Sequence, residues 1–400
     1  MFDALFTTTT EYKKLSHALS GKGACALFGL PASGRAQVYA ALCRQLDKPL
    51  CIVTPGEAEA TRFAADLNTL GIPAAVFPAR DYVLRPIEGT AREYEYRRLA
   101  VLGELVGGRL RAVAVPAEAL TQFTTPKEDF CANTRTLHTG DTLLRDDLLA
   151  ALFGAGYTRR AQVDGPGQFS VRGDIVDIFA PDQKMPVRME FWGDEIDTLH
   201  TFDLTTQRRE DAIDKFYLSP AREVLFGKPA DAAEQLRAFL AKQRGKKKTA
   251  MADCMAADLD LLDGGAVPVN MDKYLAVRYP HPATVLDYFD DPILVAEEPA
   301  SIREADRATV YRRGEELKSL ILDGVLCAGL DNLYADPSYL WSKTGHYRTI
   351  CAENFARSMP DQPLKDIINA PAHTLPAWNG EVAGLLEDLK PLCDAGYTVT

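Results

Sequence analysis

The segment GLPASGRA, residues 29–36, follows a short apolar run and precedes a helix-like stretch, the place where a glycine-rich loop cradles phosphates. Gly29 and Gly34 keep the G-x-x-x-x-G spacing of a P-loop, but the two chemical positions that follow are Arg35 and Ala36. In that loop a lysine ammonium reaches the β and γ phosphates and a hydroxyl ligates magnesium. A longer, planar guanidinium and a methyl group do not reproduce the pair. The residues therefore predict a strand-to-helix turn, with Ser33 near the helix N-cap, in preference to a nucleotide site.

A second set of charged residues lies on alternating segments. In MPVRMEFW (185–192) Val187, Met189 and Phe191 point one way while Arg188 and Glu190 point the other. In QFSVRGDIVDIF (168–179) Phe169 and Val171 point inward and Gln168, Ser170 and Arg172 outward, and the apolar phase then moves to Val176 and Ile178. A phase shift at Gly173 suggests a bulge. If the two strands pair, Arg172, Arg188 and Glu190 share one exposed face. Solvated cross-strand charges account for such a face; so does a protein-binding surface, for which arginines fixed on strands are well suited.

Other signals carry less. KQRGKKK (242–248) reads as a solvated basic loop ending a helix. REYEYRRLAVLGEL has helical spacing, with Tyr96, Leu99 and Leu102 to Val106 as its core side, rather than a nucleic-acid stack. The 8 cysteines include no C-x-x-C and the 6 histidines are dispersed, so neither a metal site nor a hydrolytic triad has support. They read as buried thiols of a reducing cytosol.

The elements that must position these residues come in two patterns. With 400 residues and 46% hydrophobic content the chain can hold several domains, and a net charge of −11 argues against nucleic-acid binding by bulk charge. No apolar run is long enough to cross a bilayer and no basic leader precedes one. From residue 24 to about 123 short apolar strands alternate with amphipathic helices, which means a parallel sheet covered by helices. From 125 to 210 the pattern changes to a helix and period-2 segments with tight turns, a small antiparallel α+β unit. PILVAEEP (292–299) is one more buried-strand pattern, ending in the acids Glu297 and Glu298, so the first sheet is expected to be completed across the insertion. The expected fold class is α/β: a discontinuous, P-loop-like parallel-sheet domain (1–124 and 211–345), an inserted antiparallel α+β domain (125–210), and a linker leading into a small α/β domain (346–400). The closing helix and extended YTVT read as a chain that continues beyond Thr400.

FSVRGDIVDIFAP followed by PVRMEFWGDEIDTLHTFDLTTQR resembles a signature shared by the excision-repair protein UvrB and the transcription-repair coupling factors. MDKYLAVRYPHPATVLDYF, DPILVAEEPASIREA and WNGEVAGLLEDLKPLCDAGYTV resemble the N-terminal region of the coupling factors, and weak similarity covers nearly the whole chain. The resemblance implies that the insert is a docking site for UvrA, with interface residues at Arg159, Arg172, Arg188 and Glu190. Alternation leaves Arg160 open as a substitute for Arg159, and Ser170 stands where related sequences often carry another arginine. It also implies that Gly29, Gly34, Arg35 and Ala36 are a degenerate nucleotide loop and Glu297 and Glu298 a degenerate acidic strand end. On this reading the segment is a non-catalytic adaptor of the bacterial cytosol with no cofactor of its own. ATP and magnesium, RNA polymerase and double-stranded DNA would be engaged by a motor region elsewhere in the intact protein, whose C-terminal domain would mask the UvrA face. The alternatives are a UvrB-like ATP-dependent helicase subunit and a purely autoinhibitory clamp.

Overall fold

A computed structural model describes residues 7–87, 91–355, 363–372 and 380–396. The strands are β1 (Gly23–Phe28), β2 (Leu50–Thr54), β3 (Ala74–Val76), β4 (Ala112–Pro116), β5 (Arg135–His138), β6 (Thr158–Arg159), β7 (Gln168–Arg172), β8 (Ile175–Phe179), β9 (Val187–Trp192), β10 (Glu195–Phe202), β11 (Arg209–Ala212), β12 (Lys215–Leu218), β13 (Ile293–Glu297), β14 (Arg348–Glu353) and β15 (Leu364–Asn369). The longer helices are α1 (Thr10–Ala18), α2 (Ala32–Leu46), α3 (Glu57–Thr69), α4 (Glu93–Val106), α5 (Arg145–Gly154), α6 (Pro229–Ala241), α7 (Gly245–Asp263), α8 (Pro299–Leu322) and α9 (Val382–Asp394).

Seven strands form one parallel sheet in the order β15-β1-β14-β13-β2-β4-β3. Its central strands are buried along almost their whole length because both faces are covered. Cys25, Leu27, Ile52 and Val295 face a core shared with α1, α2 and α3, while Ala26, Phe28, Val53 and Leu294 face a second core with α4 and the start of α8. The expected linker at 346–400 is corrected here: β14 lies between β1 and β13, in register from Gly23 opposite Arg348, and β15 is the sheet edge beyond β1. The reason is geometric. β1 and β13 are buried on both sides and do not pair with each other, so a further strand has to satisfy their facing N–H and C=O groups. The extended run at 397–400 lies outside the described residues.

The expected second part of the α/β domain (211–345) also divides. β12 pairs antiparallel with β5 and so belongs to the insert, which extends past residue 210 to Leu218. Only β13 joins the parallel sheet from 211–345. A third core, separate from the sheet, is built by α6, α7 and the end of α8 through Leu236, Met251, Met255 and Leu320, joined by Leu275 and Leu330 from the connecting segments and by Tyr82 and Leu84 from the loop after β3.

The insert holds a six-stranded sheet, β11-β10-β9-β8-β7-β6, antiparallel except for β6 with β7, and packs one face on α5 through Leu148, Leu152, Phe169, Val176, Met189 and Leu199. The expected bulge at Gly173 is a hairpin instead: Arg172 pairs with Ile175 across a two-residue turn, with Gly173 at φ +62. That is the first central position of a two-residue hairpin loop, where glycine carries the positive φ without strain.

Buried charges fix the insert to its host. Arg98 of α4, 0% exposed, donates to Glu223 at 2.6 and 3.2 Å, and Arg80 donates to Asp272 at 2.7 and 3.1 Å while its Nε lies 3.2 Å from the same Glu223. The Glu223 N–H donates to Glu95 and its carbonyl accepts from the Thr125 hydroxyl, so both chain connections of the insert meet at one point. The helix core expected at Tyr96, Leu99 and Leu102 to Val106 also includes a charged member, Arg98, whose guanidinium lies 4.2 Å over the Phe77 ring.

Candidate functional site

Cross-strand register places Ser170 opposite Asp177 and Asp177 opposite Arg188, with Arg172 opposite Ile175 and Ile175 opposite Glu190. Directly opposed residues of an antiparallel sheet share a face. Arg172, Arg188 and Glu190 are therefore on one side of the sheet, but β7 and β9 do not pair: β8 runs between them and brings Asp177. The Asp177 carboxylate, 0% exposed, accepts from Arg188 Nε at 2.7 Å and Nη2 at 2.9 Å, and from Arg172 Nη2 at 2.6 Å.

The expectation of three exposed charges is corrected accordingly. The Arg188 side chain is only 10% exposed; it is held by Asp177, by the Gln207 carbonyl at 3.2 Å, and by the Phe202 ring 4.8 Å beneath its guanidinium. Glu190 is half-buried and pairs with Arg209 of β11, accepting also from the Thr198 hydroxyl. Ser170 lies on the polar side, yet it is buried and its hydroxyl has no hydrogen-bond partner. The Arg172 side chain, 48% exposed, is the one of the three arginine and glutamate candidates that presents a large charged surface to solvent.

Arg159 and Arg160 are both exposed at the edge strand β6. Arg159 pairs with Phe169, whose side chain lies in the core, so alternation carries Arg160 to the side of Ser170 and Asp177. Two residues escape the sequence reading. Trp192 shares the parity of Arg188 and Glu190, and its side chain is 82% exposed on the same side of the sheet. Asp177 could have been found, since an acid flanked by four apolar residues in IVDIF has to be paired when the strand is buried.

At the carboxyl ends of β1, β13 and β14 lies the second candidate cluster. Gly29, at φ +90, turns the chain out of β1, and a Cβ there would sit 2.8 Å from the carbonyl oxygen of Ala370. The N-cap of α2 is Pro31, and Ser33, expected near the cap, lies two residues beyond it in the first turn. Gly34 and Ala36 follow in the first turns, and Ala36 is fully buried in the core beneath.

Arg35 is 2% exposed and points across the strand ends. Its Nη2 lies 2.9 Å from Glu297 Oε2, and its Nη1 lies 3.1 Å from Glu298 Oε1 and 3.3 Å from Asn354 Oδ1. The Tyr39 hydroxyl donates to Glu297 Oε1 at 2.5 Å. Burial pushes the Glu297 carboxyl up to about 7, against the pull of Arg35 and the Tyr39 hydrogen bond in the other direction. Glu298 carries a left-handed backbone, φ +52, which turns its carboxylate back toward Arg35 and the Asn354 N–H. The ends of an α/β sheet are where ligands of such folds bind; here a cation from α2 and two carboxylates from the β13 end occupy one another.

Among the described residues no group of three histidine, cysteine, aspartate or glutamate side chains could hold a metal ion. No described helix is long and apolar enough to cross a membrane.

Residues 136–224 match the UvrB interaction domain family. The chain is 25% identical over 384 residues to a transcription-repair-coupling factor of Bacillus subtilis, covering 93% of this chain and 32% of that protein. It is 34% identical over 304 residues to one of Mycobacterium bovis, covering 72% and 24%, and 35% identical over 208 residues to one of Myxococcus xanthus, covering 49% and 17%. The chain thus spans about a third or less of the length of these curated relatives. The matched segment begins within β5 and ends just past the Glu223 junction, so the paired strands and the boundary of the insert coincide with it. Over most of its length the chain is thus similar to transcription-repair-coupling factors, and its inserted sheet matches the UvrB interaction domain family.

Proposed function

We propose that this chain is an adaptor that docks the damage-recognition protein UvrA through the polar side of its inserted sheet. The observation that carries the reading is the pre-set arginine pair: Asp177 holds Arg188 from two nitrogens and Arg172 from one, on the side of the sheet that also exposes Trp192 at the end of β9. Side chains already fixed lose little entropy on association, and arginine and tryptophan on one face are the residue types enriched in binding hot spots. Arg172 and Trp192 make the contact, Arg188 and Asp177 position it, Glu190 is held by Arg209, and Arg160, in place of Arg159, extends it at the β6 edge. Calorimetric titration of the chain with UvrA tests this. Arg172→Ala is expected to weaken binding by about 2–4 kcal/mol with the fold intact; no binding by the native chain would overturn the reading.

The parallel-sheet domain serves as a scaffold on this reading, with Arg35 taking the place of the missing lysine and closing on Glu297 and Glu298. Titration with Mg-ATP is expected to give no heat; low-micromolar binding would favour the UvrB-like enzyme alternative. In the intact protein, ATP-driven translocation on DNA, displacement of stalled RNA polymerase and masking of the docking side by a C-terminal domain would belong to other regions, and the site of action would be the bacterial cytosol.

A further inference from the structure

We propose that the basic cluster where α6 meets α7 is a contact for the phosphate backbone of duplex DNA. Lys242, Arg244, Lys246, Lys247 and Lys248 are all exposed, and none forms an ion pair among the described residues. Four of the five sit against the field of their own helix. Arg244 is the N-cap of the 19-residue α7 and makes no side-chain capping bond, and the three lysines occupy a first turn that contains no acid. The positive end of a helix dipole disfavours cations there.

The four aspartates of α7 lie in its middle and toward its other end, and two of them have a structural reason. Asp258 is buried against Lys273 and accepts from the Tyr274 hydroxyl, and Asp263 pairs with Arg237. The cations have no such partner. An unfavourable charge arrangement with nothing in the fold to offset it fits a partner of opposite charge.

The residues around the cations point to the kind of polyanion. Gln243, Gly245, Thr249 and Ala250 offer no aromatic or bulky apolar anchor. A protein interface draws its energy from such anchors, and single-stranded nucleic acid stacks its bases on them. Lysines alone supply point charges to phosphates, which is the sequence-independent mode of duplex binding. In a chain of net charge −11 that contact is local and strongly salt-dependent. The contact does not depend on the docking side of the insert.

The test is fluorescence anisotropy of a short labelled duplex with the whole chain, at low and rising salt. The triple variant Lys246→Glu/Lys247→Glu/Lys248→Glu is expected to weaken binding about tenfold or more and to flatten the log–log salt slope by about 2.7. The same variant is expected to melt at a higher temperature, because acids at a helix start oppose fraying. Lys13→Glu/Lys14→Glu/Lys22→Glu changes the net charge equally and is expected to leave binding within about twofold. The proposal is overturned if the native chain does not bind duplex at low salt, if both triple variants lose binding equally, or if the chain captures polyglutamate more tightly than duplex.

Discussion

Arg188 and Asp177 face each other across β8 and β9 as a bidentate pair, Nε to Oδ1 at 2.7 Å and Nη2 to Oδ2 at 2.9 Å, with the carboxylate sealed from solvent. The pair is buried, and the same carboxylate holds the half-exposed Arg172 of the proposed docking side, so stability and binding are linked at one carboxylate.

Asp177→Ala is expected to cost about 3–5 kcal/mol of folding stability, because it leaves Arg188 buried without its counter-ion. It also releases Arg172, so UvrA affinity falls with it. Urea unfolding of the whole chain, followed by titration with UvrA under conditions where the variant is folded, checks both effects.

Trp192→Ala separates the two. The indole is 82% exposed and supports little of the fold, so stability is expected to stay within about 0.5 kcal/mol of the native chain. If the indole contacts UvrA, binding drops by about 2 kcal/mol or more. Unchanged affinity would remove Trp192 from the interface.

Glu223→Ala withdraws one carboxylate from both Arg80 and Arg98. The loss is expected to be about 3–5 kcal/mol. Because Glu223 lies between β12 and the helical layer, limited proteolysis is expected to cut the connections of the insert sooner than in the native chain; equal cleavage rates would show that the junction is held by other contacts.

Two glutamates give the stability profile opposite slopes. Burial raises the Glu297 carboxyl to about 7, so its contribution is fully present below the ordinary carboxylate range and is lost as pH rises through 7. Despite the upward push of burial, Arg80, Arg222 and Arg92 hold Glu95 down at about 2, so its contribution is present above the ordinary range and lost as pH falls through 2. Glu297→Gln is expected to flatten the fall in melting temperature between about pH 5 and pH 7.5 while leaving the acid limb in place. An unchanged slope in that window would mean that Glu297 stays ionised when buried.

The apolar strands were legible because a parallel strand covered on both faces leaves a continuous run such as ACALF or ILVAE. The end of the sheet was not. RTICAE follows an irregular stretch, and its place between β1 and β13 depends on a pairing with β1 at the far end of the sequence, Gly23 opposite Arg348. At Gly173 a bulge and a hairpin give the same phase shift, and only the partner strand distinguishes them.

The candidate site was readable as residue types but not as burial. Arginine reads as a surface residue, and nothing near Arg35, Arg98 or Arg188 in sequence announces Glu297, Glu223 or Asp177 as its partner. Trp192 was in plain view in MPVRMEFW, yet its exposure depends on its position at a strand end beside the turn at Gly193.

The place of β14 also sets an order of events on the ribosome. The insert closes on contacts made between residues 135 and 218, whereas the parallel sheet cannot be completed until Glu353 has left the exit tunnel. Domains fold as units during synthesis, and long-range parallel pairing is slow. The embedded sheet therefore acquires its shape while its host is still an open set of strands, and the nascent chain displays the docking side before the scaffold that will carry it exists.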